Sequence, residues 1–185
     1  MTCRVDTNWT YHGLCAVCLE NKFIAVTVLP ERGANIIDIT DKSRDRNLLW
    51  RSERIKPRAV TLKADFDDHW AGGWDDIFPT GRPCKNEYGD PLPYLGELWS
   101  IPHDFIVLQD NDDVVQIKTF VKTPITPAYF SRTITLDRDS DELVFEYEIK
   151  NIGTMPFRFQ WGIHPVFAVT PQSRVILPSK SALVD

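Results

Sequence analysis

The sequence predicts an all-β protein whose antiparallel sheets pack as a β-sandwich. Hydrophobic and polar residues alternate with a period of two over Val115–Lys122 and again over Leu143–Lys150, which gives each run one buried face and one solvated face. Short clusters of turn-forming residues separate such runs and leave no room for crossover helices. The 13 prolines favour the same fold, because proline interrupts helices.

Further strands are expected along the whole chain. The predicted strands are Leu14–Leu19, Phe23–Leu29, Ile36–Ile39, Trp99–Leu108, Phe130–Leu136, Phe157–Ile163 and Arg174–Leu177. Turns are expected where Gly, Pro, Asn and Asp concentrate, at Pro30–Gly33, Gln109–Asp113, Asp137–Asp141 and Asn151–Gly153. The sequence shows no internal repeat and no helix longer than two turns, so residues 1–185 are predicted to form a single domain.

Composition argues against several classes of partner. The formal net charge is -5, and Lys and Arg form no dense block that could neutralise a row of phosphates, which argues against a nucleic acid or an anionic membrane. No window approaches the 18 apolar residues of a membrane span, and Met1–Asp6 lacks the apolar stretch of a secretory signal. We therefore expect a cytoplasmic protein with a small neutral ligand.

Cys15 and Cys18 form a C-x-x-C pair, which is a spacing found in redox and zinc sites. They lie in a predicted strand, where residues three apart point to opposite faces, so the two sulfurs should diverge. No second C-x-x-C or H-x₃-H completes a metal set. A structural role is expected for both cysteines, and no metal site is predicted.

The segment Asp65–Pro102 breaks the alternating pattern and is rich in Gly, Pro, Trp and carboxylates. A long irregular segment inside a domain is more often functional than idle. Indole rings offer a flat apolar surface to the C–H face of a sugar, and nearby carboxylates accept its hydroxyl protons. The alternative is that the tryptophans are core residues that fill the space under irregular loops and bind no ligand. The predicted substrate-binding residues are Trp74, Asp76, Glu97, Trp99 and Trp161.

His164 is the candidate catalytic residue. It follows the aromatic stretch Phe157–Trp161, and the next residue, Pro165, holds its backbone extended. Imidazole titrates near neutrality, which suits a general acid. The alternative is a structural histidine bonded to a backbone carbonyl. Asp76 and Glu97 could together cleave a glycoside as acid and base, although their spacing does not show that they meet.

A set of motifs resembles, in chain order, the aldose 1-epimerase (galactose mutarotase-like) superfamily. The motifs are Val28–Ala34 with Ile36–Asp41, Gly72–Pro79, Gly96–Ser100, Phe130–Leu136, Tyr147–Asn151 and Trp161–Phe167. The resemblance implies a large antiparallel β-sandwich that binds a monosaccharide in an open cleft and interconverts its anomers. It further implies that a carboxylate takes the anomeric proton while a histidine protonates the ring oxygen, without a metal or an organic cofactor.

Two departures from the family accompany the resemblance. His164 resembles the family's histidine acid, but Leu95 stands where a second histidine is usual before Gly96–Glu97. The family's catalytic glutamate is expected well beyond the His-Pro motif, and this chain ends at Asp185. We therefore expect this chain to be the N-terminal portion of a family member. It is expected to lack both the catalytic base and the C-terminal strands. Its open sheet edges are expected to favour self-association.

These observations leave several functions open. The expected function is an aldose 1-epimerase-like protein that binds a small-molecule sugar. The alternatives are a non-catalytic carbohydrate-binding module or degenerate family member, a glycoside hydrolase, and a β domain that binds a protein partner. Arg58, Arg82 and Lys85 could meet the phosphate of a phosphorylated sugar, or they could simply lie in a solvated loop.

Overall fold

Antiparallel strands dominate the computed structural model, which describes residues 2–62 and 64–176. The strands are β1 Arg4–Tyr11, β2 Leu14–Glu20, β3 Ile24–Leu29, β4 Asn35–Asp41, β5 Arg46–Asn47, β6 Trp74–Ile77, β7 Cys84–Lys85, β8 Pro91–Leu92, β9 Asp104–Asp110, β10 Val114–Lys122, β11 Ala128–Asp137, β12 Val144–Asn151 and β13 Gly162–Pro165. Two 3₁₀ turns span Pro30–Arg32 and Leu98–Ser100. No helix within the described ranges is long and apolar enough to cross a bilayer.

The strands form two large sheets. The first has the order β1-β2-β3-β4-β6-β13, with β5 paired to β4, and the second has the order β12-β11-β10-β9. Strands β7 and β8 form a separate hairpin. Neighbouring strands in both large sheets are antiparallel, as the short turns of the sequence predict.

The core lies between the two large sheets. The alternating positions of β2, β3 and β4 that face inward pack against inward positions of β10 and β11. Each fully buried aliphatic side chain contributes about 1.5–3 kcal/mol to stability. The packed residues include Val17, Leu19, Val26, Val28 and Ile36 from the first sheet and Val115, Ile117, Ile134 and Leu136 from the second. The predicted sandwich is therefore confirmed.

Three predicted strands are wrong in their bounds. Phe157–Ile163 is a strand only from Gly162, and its aromatic stretch makes one backbone bond, from Gln160 N to Pro79 O at 2.8 Å. The strand predicted from Trp99 starts at Asp104, after a 3₁₀ turn. Residues 174–176 are not in a strand, and Leu177 lies outside the described residues.

One edge of each large sheet carries exposed apolar side chains. In the described part of the chain, β13 pairs with β6 alone and β12 pairs with β11 alone. Apolar residues on and around these two strands remain exposed to solvent. They include Val144, Phe159, Trp161, Ile163 and Phe167.

Candidate functional site

The pairing of β13 with β6 fixes the position of His164. The register sets His164 opposite Asp75 and Pro165 opposite Trp74. The pairing continues past Pro165, since Val166 N donates to Gly73 O at 2.9 Å. Gly73 has φ +82, and a Cβ there would lie 2.5 Å from the carbonyl oxygen of Ile36. Glycine at this position therefore allows β6 to lie close to β4. Because β13 pairs with β6, the same approach also sets the position of β13.

Aromatic rings surround the half-buried imidazole of His164. Its ring centroid lies 5.9 Å from that of Trp70 and 6.2 Å from that of Phe66. Further rings extend this group outward, with 5.5 Å between Trp50 and Trp70 and 5.9 Å between Phe66 and Tyr94. Trp50 is 42% exposed and Tyr94 is 45% exposed. We define the aromatic cluster as Trp50, Phe66, Trp70, Tyr94 and His164. Its outer rings, Trp50 and Tyr94, are accessible to solvent, and its inner rings contact the histidine.

Asp75 lies on the same face of the sheet as His164 and is 2% exposed. Asn35 Nδ2 donates to Asp75 Oδ1 at 2.9 Å, and Arg32 Nη1 lies 3.7 Å from the same oxygen. Burial raises the pKa of Asp75, and the opposing effect of Arg32 and Asn35 is smaller. Arg32 is itself buried over the indole of Trp99, at 4.7 Å from the ring centroid, and burial lowers its pKa.

Asp76, the next residue of β6, points to the opposite face and into the sandwich. Its Oδ2 accepts a bond of 2.8 Å from Nη1 of Arg132, and both side chains are fully buried. Burial raises the pKa of Asp76. It also raises the pKa of Tyr147, and the charge of Asp76 adds to that effect. Trp74 faces the same way, with its ring 4.8 Å from that of Phe145 on β12.

Glu97 anchors a distant turn. Its carboxylate accepts backbone bonds from Ile125 N at 2.7 Å and Thr126 N at 3.0 Å. The side chain is fully buried, and burial raises its pKa. The neighbouring Trp99 is also buried and donates from Nε1 to the carbonyl of Tyr94 at 3.1 Å. The Gly96–Ser100 motif therefore serves the packing of the chain in this structure.

The six predicted site residues do not form one ring around a ligand. His164 belongs to the aromatic cluster, and Trp99 adjoins it through Phe66, at 5.1 Å between ring centroids. Trp161 is 39% exposed, but its ring packs against Tyr147, at 4.8 Å, rather than beside His164. Strand alternation and burial give Trp74, Asp76 and Glu97 internal partners. Ligand contact by any of the six residues stays a prediction.

The fold also brings other residues near His164 or its neighbour Asp75. Arg32, which lies 3.7 Å from Asp75, falls in a predicted turn, and Trp50 lies in a stretch without a periodic signal. Phe66 lies in the irregular segment Asp65–Pro102. Leu95, which stands where the resemblance implies a second histidine, packs with Phe66 and Trp99 in an apolar group. The aromatic content of the irregular segment Asp65–Pro102 is the signal that indicates Phe66, whereas no local pattern indicates Arg32 or Trp50.

Two of the basic residues considered for a phosphate, Arg58 and Lys85, line different grooves. Arg58 lies in one groove with His12, Arg54 and Lys56, whereas Lys85 lines another groove. In the described residues the four cysteines are free, and no group of three or more His, Cys, Asp or Glu side chains is arranged to hold a metal ion.

Comparison with solved structures supports the fold. A galactose mutarotase-like protein from Lactobacillus casei ATCC 334 is 17% identical with a TM-score of 0.59, and the match covers 84% of this chain and 50% of that chain. A candidate mutarotase from Salmonella typhimurium is 16% identical with a TM-score of 0.52, covering 74% of this chain and 44% of that one. A scan against protein-family models found no match.

A third similar structure is a TPR-domain containing protein from Parabacteroides distasonis ATCC 8503, 16% identical with a TM-score of 0.55, in which the match covers 72% of this chain and 20% of that chain. This chain thus spans half or less of the length of each of these proteins. At such low identity the likeness concerns the fold alone. The chain has an antiparallel β-sandwich fold of the galactose mutarotase-like type.

Proposed function

We propose that the protein binds a monosaccharide at the aromatic cluster and interconverts its anomers, as an aldose 1-epimerase-like isomerase. One observation carries this proposal: His164 lies against an aromatic wall that is partly open to solvent, with the buried carboxylate of Asp75 opposite it. Aromatic rings bind the C–H face of a pyranose, and an imidazole can exchange a proton with it near neutral pH. The mutarotase-like fold supports the same function.

The chemistry requires two proton transfers. The imidazolium of His164 gives a proton to the ring oxygen while a solvent water molecule takes the proton of the anomeric hydroxyl, so the C1–O5 bond breaks and the C1 carbonyl forms. Rotation about C1–C2 and the reverse transfers close the ring on the other face. Such acid catalysis typically contributes about 10²–10⁴-fold. Among the described residues the carboxylate opposite His164 is Asp75, whose burial makes it unsuited to act as the base.

A second proposed function is carbohydrate binding without turnover. It is favoured by Leu95, which packs in the apolar group with Phe66 where the family resemblance implies a second histidine. A leucine cannot donate a hydrogen bond to a sugar hydroxyl. Glycoside hydrolysis has less support, because Asp76 and Glu97 are both fully buried and bonded to internal partners.

Two measurements separate these functions. Polarimetry or NMR exchange spectroscopy would follow freshly dissolved α-glucose and α-galactose, alone and as 6-phosphates, with the wild type, His164→Gln and His12→Asn. His12 is an exposed histidine on the β1–β2 turn and serves as the matched control. We expect acceleration that falls by about 10²-fold in His164→Gln and is unchanged in His12→Asn.

Binding would be followed in parallel by tryptophan fluorescence, because Trp50 and Trp70 border the proposed site. Saturable quenching without acceleration would favour the binding module. Neither binding nor acceleration with any of the four sugars would contradict both functions.

A further inference from the structure

Three exposed cationic side chains, Arg54, Lys56 and Arg58, alternate along the chain with two residues that turn inward. Ile55 is partly buried and Pro57 is buried, whereas all three cations are exposed. A proline also disfavours the helical conformation at the residue before it, which here is Lys56. The alternation of burial therefore sets the three cations on the outer side of one short segment.

These three cations have no carboxylate partner. In the described part of the chain none of them forms an ion pair, whereas Arg51, just before them, pairs with Asp38 at 3.0 Å. Glu53, the acid that precedes the run, forms no ion pair with it either. Like charges that are held together without a counterion create a positive potential that attracts an anion.

The same three cations line one surface groove of about 480 Å³, which is within the range of small-molecule sites, roughly 300–1,000 Å³. Asp68 also lines this groove, so three positive charges accompany one negative charge there. A phosphate group carries a charge of about −1.5 to −2 near neutral pH, which matches that balance. Guanidinium groups bind phosphate oxygens through two parallel hydrogen bonds, and lysine binds them as a point charge.

A second groove adjoins the first. Lys56 and Pro57 line both grooves, and Trp50 lines the second one. The organic part of a phosphate ester bound at the cations therefore has a surface on which to lie, and that surface includes an aromatic ring.

We propose that the groove lined by Arg54, Lys56 and Arg58 is a binding site for a dianionic phosphate, which is supplied by a small phosphate ester or by free phosphate. The two guanidinium groups hold the phosphate oxygens, and Lys56 adds a third positive charge where the two grooves meet. His12 lines the groove as well, but the binding is attributed to the three cations. The site does not depend on the proposed function, because no residue of the aromatic cluster holds the phosphate.

An NMR titration would test the site with three probes, which are inorganic phosphate, glycerol 2-phosphate and acetate. The arginine Nε–H signals of Arg54 and Arg58 would be assigned by their loss in Arg54→Gln and Arg58→Gln. We expect both signals to shift saturably with either phosphate compound and to respond much less to acetate, which carries a single charge. Raising the salt concentration to about 0.3 M should weaken the binding, because salt screens exposed charges.

A double variant and a control of equal charge make the test specific. Arg54→Gln combined with Arg58→Gln should raise the Kd for phosphate by about 10-fold or more, because it removes two charge-assisted contacts. The control combines Arg82→Gln with Lys150→Gln. These two cations are exposed and lie outside this groove, so the Kd should change little.

Tighter binding of glycerol 2-phosphate than of inorganic phosphate would identify a small ester as the ligand, and equal binding would identify free phosphate. The proposal would be overturned by the absence of a saturable shift with both compounds, by acetate binding as tightly as phosphate, or by equal weakening in the two double variants. Phosphate binding without any mutarotation would leave this site in place and count against the proposed function instead.

Discussion

The guanidinium of Arg32 lies over the indole of Trp99, with 4.7 Å between its central carbon and the ring centroid. Arg32 also donates from Nη1 to the backbone carbonyl of Trp99. This contact ties the 3₁₀ turn Pro30–Arg32 to the 3₁₀ turn Leu98–Ser100, which lie far apart in the sequence. Since Arg32 also approaches Asp75, the same side chain connects the core to the candidate site.

Replacing Arg32 should strongly destabilise the protein. In Arg32→Met the carboxylate of Asp75 keeps its bond from Asn35 but loses its nearest cation, and breaking a buried pair from one side costs about 3–5 kcal/mol. Because Arg32 lowers the pKa of Asp75, its removal should raise that pKa further, so the loss should shrink as the pH falls and Asp75 becomes neutral.

Urea unfolding at several pH values would measure this effect. The control is Arg51→Ala, which breaks the partly exposed pair between Arg51 and Asp38 and should cost at most about 1 kcal/mol. Equal losses in the two variants would contradict the role given to Arg32.

Gly96 should tolerate alanine much less well than Gly89. Both have positive φ, +75 and +89, so a side chain at either position costs about 1–2 kcal/mol in backbone strain. A Cβ at Gly96 would lie 2.1 Å from the carbonyl oxygen of Phe78, whereas nothing lies within 4 Å of one at Gly89. Thermal or urea unfolding should show a larger loss for Gly96→Ala than for Gly89→Ala, and similar losses would count against this close approach.

His103 should make the protein sensitive to mild acid. Burial, followed by the charge of Arg132, lowers the pKa of His103 from its ordinary value of 6.5 to about 3. Above pH 6.5 the histidine is neutral in both states and has no effect. Below that value the unfolded chain binds the proton and the folded chain does not, so stability should fall as the pH drops toward 3.

The expected contribution of His103 is about 1.4 kcal/mol per pH unit within that window. Unfolding free energies measured from pH 7 to pH 4 for the wild type and for His103→Gln would isolate it, because the other ionisable groups are common to both proteins. Parallel curves would show that His103 is not the group responsible.

Self-association through the β13 edge stays a prediction, with a second copy of the chain as the expected partner. Ile163 is exposed on β13 at one edge of the seven-stranded sheet, and Trp9 is exposed on β1 at the other edge. Light scattering should give a molar mass that rises with concentration and falls in Ile163→Lys but not in Trp9→Lys. A monomer at all concentrations, or a response of Trp9→Lys alone, would contradict this prediction.

The sandwich was predictable because its signal is local. The alternation over Val115–Lys122 records directly which side chains face the core, and β10 spans Val114–Lys122. Phe157–Trp161 also alternates aromatic with polar residues, yet it lies outside the strands, and its Phe159 and Trp161 are exposed. Among the described residues, the prediction for Phe157–Ile163 therefore failed where no strand pairs with it.

The site was less predictable because it depends on which residues meet across the fold. The carboxylate of Glu97 accepts hydrogen bonds from the backbone N–H groups of Ile125 and Thr126, 28 and 29 positions away. No local sequence pattern predicts that contact. His164 was identified from its chemistry and its motif. The sequence does not distinguish Asp75 from Asp76, because only the pairing register of β6 with β13 shows which acid shares the face of His164.

The adjacent acids of β6 also protect the sheet against mispairing. If β6 slipped by one residue, every side chain would change faces. A slip in one direction would present Trp74 to Arg32, and a slip in the other would present Ile77 to Arg132. Either way one buried arginine would lose its counterion, so the two ion pairs together admit a single alignment of this strand.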